Sequence, residues 1–217
     1  MKFKFGFTLI ELLMALAIIG IIAALTVPAT VNRYQRSTQL AQLKKIYTNL
    51  EHNLTLLQSE NYRGTFLNSR VGDGSDIEGF FNDYYSVKRK CDNAFTPCFA
   101  NSYRSIDGTN SGSFPVFNGF AVQLDDDSSI YIETSDQGAN VRVDVNGPEP
   151  PNIGGRDLFH FVIYDDYSID EGATPTDKRD GTAQQDRTGL FNTNCISSFV
   201  GLGCFGKILN DDWKMNY

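Results

Sequence analysis

Four oxygen-bearing side chains stand close together in one Gly- and Pro-rich stretch: Asp144, Asn146, Asn152 and Asp157. Carboxylate and amide oxygens spaced in this way suit a hard cation such as calcium, and glycine permits the sharp turns that wrapping an ion demands. The same residues suit an ion-free turn, because Asn-Gly and Pro-Pro form turns and Asp and Asn side chains bond their own backbone. Four cysteines follow a second pattern: Cys91, Cys98, Cys195 and Cys204. An even count favours disulfides in an oxidising compartment, with three connectivities open. The two local pairs, 91 with 98 and 195 with 204, are favoured, each closing a short loop and stabilising by about 2–3 kcal/mol. Neither spacing is the short one of a zinc site. His52 and His160 have no Cys or Glu at metal or triad spacing, no glycine cluster forms a phosphate loop, and no acid pair stands out from the surface acids. No enzyme is expected, no cofactor is required, and calcium is the one that these residues admit. The last group is Glu11, a single carboxylate inside an apolar run. An acid placed there is by default functional, since burying it unpaired in lipid is costly.

The elements that must position these groups are legible in the hydropathy pattern. Phe7–Val27 is apolar apart from Glu11, and twelve of its residues are Leu, Ile, Val or Phe. As a helix it reaches ~31 Å, enough to cross the hydrocarbon core. Those twelve side chains favour insertion by roughly 4–7 kcal/mol, against about 3 for an ionised Glu11, so insertion wins. Lys2 and Lys4 precede it, which holds the N-terminus in the cytoplasm. Beyond Asn32, Leu40, Leu43, Ile46, Tyr47, Leu50, Leu54 and Leu57 recur at helical spacing and predict an amphipathic continuation to about Asn61. Residues 62–118 read as a connecting region with a short helix at Ile77–Tyr85, and Lys88-Arg89-Lys90 reads as a solvated loop face. Strands are predicted at Phe120–Leu124, Ile130–Thr134, Val141–Val145 and Leu158–Tyr164. Asp165–Arg187 reads as an exposed excursion. Lys207–Leu209 and Trp213–Tyr217 read as a last edge strand. The first 60 residues carry a balance of +3, so the net charge of −7 leaves −10 for residues 61–217. An acidic head repels nucleic acid, and none is expected as a partner.

Gly6-Phe7-Thr8-Leu9-Ile10-Glu11, after a short basic leader, resembles the prepilin signal of type IV pilins and of the pseudopilins of type II secretion. An ordinary secretory signal, cleaved near Val27-Pro28-Ala29, has a shorter apolar core and no place for Glu11. A plain membrane anchor leaves the Gly6–Glu11 run unexplained. The resemblance implies cleavage between Gly6 and Phe7 by prepilin peptidase, methylation of Phe7, and pairing of Glu11 with the N-terminal ammonium of a neighbouring subunit. It implies assembly roles for Gly20 and Pro28 as well. The implied fold is α+β and pilin-like: a long N-terminal helix, its first half transmembrane, packed on a four- to five-stranded antiparallel sheet. The implied organisation is leader 1–6, transmembrane and assembly helix 7–28, amphipathic half 29–61, connecting region 62–118, and sheet with a disulfide-bounded C-terminal region 119–217. The 144–157 loop resembles the start of an EF-hand only in its first four residues, and resembles the calcium-bearing loop of major pseudopilins in its placement between strands. The implied function is a structural subunit, major or minor, of a type IV pilus, with a type II secretion pseudopilin as the alternative. The implied partners are its own copies, related pilins or pseudopilins, prepilin peptidase, the membrane and an inner-membrane assembly platform. The implied location is the inner membrane, then a periplasmic or cell-surface filament. A membrane-anchored extracytoplasmic binding protein is the reading from another class.

Overall fold

The computed structural model describes residues 8–62, 64–92, 94–114 and 118–217, with the backbone alone at Pro28, Ala29 and Asn32. They fall into two units, Met1–Thr38 and Gln39–Tyr217. The architecture is α+β and pilin-like, with a long apolar N-terminal helix and a six-stranded antiparallel sheet instead of four or five strands.

The first unit holds the start of α1, Leu9–Glu60. Its side chains from Leu9 to Val27 are exposed, an apolar surface with nothing packed on it in a single copy. Thr26 and Thr30 donate their hydroxyls to the carbonyls of Ile22 and Thr26, at 2.9 and 3.0 Å, so neither leaves a bare polar group on that surface. The backbone is helical through Pro28. Proline has no N–H, so the carbonyl four residues earlier, at Ala24, lacks its usual donor.

In the second unit the amphipathic stretch of α1 buries the stripe its spacing predicted: Leu43, Ile46, Leu50, Leu54 and Leu57. Large side chains of this kind contribute about 1.5–3 kcal/mol each on burial. They meet one face of the sheet, which comprises β1 (Val87–Cys91), β4 (Phe120–Leu124), β5 (Ser129–Ser135), β6 (Gly138–Asp144), β7 (Leu158–Tyr164) and β8 (Ile169–Asp170), in that spatial order. A two-stranded ribbon, β2 (Tyr103–Arg104) with β3 (Ser111–Gly112), forms a separate small sheet whose Tyr103 packs against the larger one. A second core forms around Tyr131, Ala121 and Leu158, where Phe95, Phe99, Tyr103 and the Cys91–Cys98 disulfide pack. With apolar clusters on both faces, β7 carries a near-continuous apolar run, and β5 an apolar run over Ile130, Tyr131 and Ile132, where a one-sided strand would alternate. Gly138 opens β6 at φ +140 beside the Ile163 carbonyl, where a Cβ would collide with backbone.

Three segments differ from expectation. Lys88-Arg89-Lys90 belongs to edge strand β1 and not to a loop. Lys88 pairs with Asp127, and Lys90 reaches Glu78 of α2 (Ile77–Tyr84) at 2.6 Å. Charged side chains there also protect an open edge from further pairing. Asp165–Arg187 is not an exposed excursion: it contains β8, α3 (Pro175–Asp180) and most of α4 (Ala183–Leu190). The C-terminal stretch forms α5, Cys204–Asn210, where a strand was expected. Phe205 and Ile208 fall three apart and are both buried, a helical spacing.

Candidate functional site

Two places gather the chemistry: the start of α1 and the loop between β6 and β7. At the first, Thr8 and Glu11 form a reciprocal pair. The Thr8 backbone N–H and hydroxyl each donate to Glu11 Oε2 at 2.8 Å, and the Glu11 N–H donates back to Thr8 Oγ1 at 3.3 Å. This is a capping box, and it satisfies donors that the first helical turn leaves open. In an isolated copy the Glu11 carboxylate is therefore engaged within its own chain. Thr8 as the partner was missed from sequence, although Thr-x-x-Glu before an apolar run is a readable signal. Gly6 and Phe7 lie outside the described residues. Gly20 has open space around it: a Cβ there meets nothing within 4 Å. The packing of a single copy does not require glycine at that position.

At the second place the structure brings Asp144, Asn146, Asn152 and Asp157 into one loop. Asp144 ends β6 and Asp157 precedes β7, and the Val145 N–H donates to the Asp157 carbonyl at 2.8 Å. Both carboxylates are fully buried. Asp144 accepts from the Asn146 N–H at 3.2 Å and from the Tyr103 hydroxyl at 2.5 Å. Asp157 accepts from the Asn152 and Ile153 N–H groups, each at 2.6 Å. Burial, then the charge of Asp157, pushes the Asp144 carboxyl well above the usual carboxylate range. Burial pushes Asp157 up to about 6, against the pull of its backbone donors. The Oδ1 atoms of Asn146 and Asn152 are buried with no hydrogen-bond partner. An orphaned amide oxygen is costly, and a cation is one way to satisfy it. Among the described residues no three His, Cys, Asp or Glu side chains converge as a metal cluster; the buried carboxylates of this loop are two, Asp144 and Asp157, beside the two amides.

The four cysteines form Cys91–Cys98 and Cys195–Cys204. The second pair is clamped by Glu171, a residue that sequence reasoning passed over. Its buried carboxylate accepts from the N–H groups of Gly203, Phe205 and Gly206, at 2.7, 2.7 and 3.2 Å, and lies 3.3 Å from His160 Nδ1. Beside it Asp170 is held by Arg187 and by Lys178 at 3.0 Å. His160 is thus a structural partner. His52 is exposed on α1.

Residues 1–27 match a family model, the prokaryotic N-terminal methylation motif. The chain carries a prepilin signal of the type IV pilin and pseudopilin kind, and its apolar helix is a membrane anchor. No curated protein and no solved structure matches the chain.

Proposed function

We propose that this chain is a structural subunit of an extracytoplasmic filament, a major or minor pilin of a type IV pilus. Prepilin peptidase cuts between Gly6 and Phe7 and methylates Phe7. Residues 7–28 hold the subunit in the inner membrane, N-terminus cytoplasmic, until an assembly platform transfers it to the growing fibre. The observation that carries this reading is the surface from Leu9 to Val27, apolar and exposed in a single copy, with one carboxylate at its start. Lipid satisfies that surface before assembly, and neighbouring helices of other copies supply the same burial afterwards. Glu11 and a neighbour's N-terminal ammonium are each costly in an apolar setting, and they neutralise one another by meeting.

A pseudopilin of type II secretion is the second reading. The 144–157 loop favours it, as the C-terminal disulfide favours the pilus. We infer that the loop takes calcium through Asp144, Asn146, Asn152 and Asp157. The buried Oδ1 atoms without partners support this, because calcium prefers oxygen donors of mixed charge. The bound ion would neutralise two buried carboxylates and pin the loop between β6 and β7. Electron microscopy with and without the gene separates the two assemblies. Loss of surface fibres in the deletion strain is expected. Fibres that persist while exoproteins are retained would move the assignment to the pseudopilus.

A further inference from the structure

We propose that Arg33 and Arg36 of α1 form a docking site for the phosphate groups of anionic phospholipids. Both side chains are exposed, as are those of Tyr34 and Gln35 between them. The apolar surface that begins at Leu9 runs past Val27 to the exposed Val31, and the Thr30 hydroxyl within it is bonded back to the Thr26 carbonyl. Arg33 stands two residues beyond Val31 and Arg36 five, so they rise ~3 and ~8 Å past the end of that surface. The headgroup layer of a bilayer is about 5–8 Å deep on each side. Side chains of a helix lean toward its N-terminus, which here is back toward the bilayer. Tyr34, 73 % exposed, suits the same layer, where aromatic rings with a polar tip collect.

The ligand class follows from the charges. No Asp or Glu lies between Glu11 and Glu51, so neither arginine has an acid three or four residues away on the helix. At a spacing of three the two guanidinium groups share one side of the helix, where like charges repel. A phosphate between them, or two neighbouring headgroups, relieves that repulsion, and the planar fork of arginine fits phosphate oxygens in pairs. The site rests on the membrane anchoring of α1 and not on the kind of filament formed. With the leader cut as proposed above, Lys2 and Lys4 leave with it, and Arg33 and Arg36 are the first basic side chains of the mature chain. Their hold on lipid would keep the subunit in the bilayer until it is extracted.

The test places the full chain in phosphatidylcholine vesicles that carry a trace of spin-labelled phosphatidylglycerol or spin-labelled phosphatidylcholine, read by electron spin resonance. The chain should float with the vesicles, and it should immobilise the anionic lipid about fivefold more than the zwitterionic one at low salt. In the double variant Arg33→Gln/Arg36→Gln, which keeps good helix formers at exposed positions, that ratio should fall to about one. Equal immobilisation of the two lipids by a chain that floats, or a ratio undiminished in the double variant, would overturn the proposal and leave the anchor standing. A chain that does not float would overturn both. Loss of cross-linking between copies as the sole defect of the double variant would give the arginines to the acidic head of a neighbouring copy, and it too would overturn the proposal.

Discussion

Glu11 has one role the structure shows and one we propose, and a single atom tells them apart. In the single copy it caps its own helix through Thr8. In the filament we assign it a neighbour's ammonium. Glutamine is nearly as good in a capping box but has no charge to offer. Glu11→Gln should therefore insert and fold normally yet yield few fibres, counted by microscopy against the wild type. Normal fibre numbers would mean that capping is the whole of its role. At the other site, Asp157 has a folded pKa raised to about 6 from an ordinary value of 3.8. A raised carboxyl pKa means that folding favours the protonated form. Its stabilising share is complete below about pH 4 and is lost as pH rises through about 6, on the order of 2–3 kcal/mol. In chelator the melting temperature should fall between pH 4 and pH 7, and Asp144→Asn should flatten that fall. Millimolar calcium at pH 7 should restore it, since a ligand that binds only the folded state stabilises it. A melting temperature indifferent to both pH and calcium would remove the ion from the loop.

The elements that were legible are those whose periodicity matches a single environment. The apolar stripe of α1 and the strands β4 and β7 are where spacing placed them. β8 and α5 were not: β8 is only the two residues Ile169–Asp170 in a polar stretch, and the short apolar run of α5 reads as a strand as readily as a helix. Asp170 and Glu171 read as surface residues, and yet both are buried, one in an ion-pair cluster and one against backbone N–H groups. Composition carries no trace of a partner that lies some 30 residues away in the chain. The four oxygen-bearing residues of the 144–157 loop were legible as residue types. The Tyr103 hydroxyl on Asp144 was not, since β2 reaches it only through the fold. Glu171 makes the consequence measurable. Glu171→Ala leaves the N–H groups of Gly203, Phe205 and Gly206 without their acceptor, at about 1–3 kcal/mol for each buried group left unpaired. Thermal unfolding should shift down by several degrees, and proteolysis should begin near α5. An unchanged melting curve would show that the clamp contributes nothing.

At the scale of the molecule, chemistry is divided along the chain. The first 60 residues are apolar and cationic on balance, and the rest is acidic and well packed. The head keeps its own cores, so it can stay folded while the helix exchanges one apolar neighbourhood for another. Gly20 belongs to this scale. Since nothing in the single copy needs it, close approach of another helix or local loosening is what remains for it to serve. Gly20→Ala should leave head stability unchanged while altering fibre yield.

The most direct measurement is the N-terminal residue and intact mass of the protein isolated from cells. A chain that begins at methylated Phe7, with the helix from Leu9 onward intact, is the predicted result. A chain that still carries Met1, or one that begins near Ala29, would contradict the account.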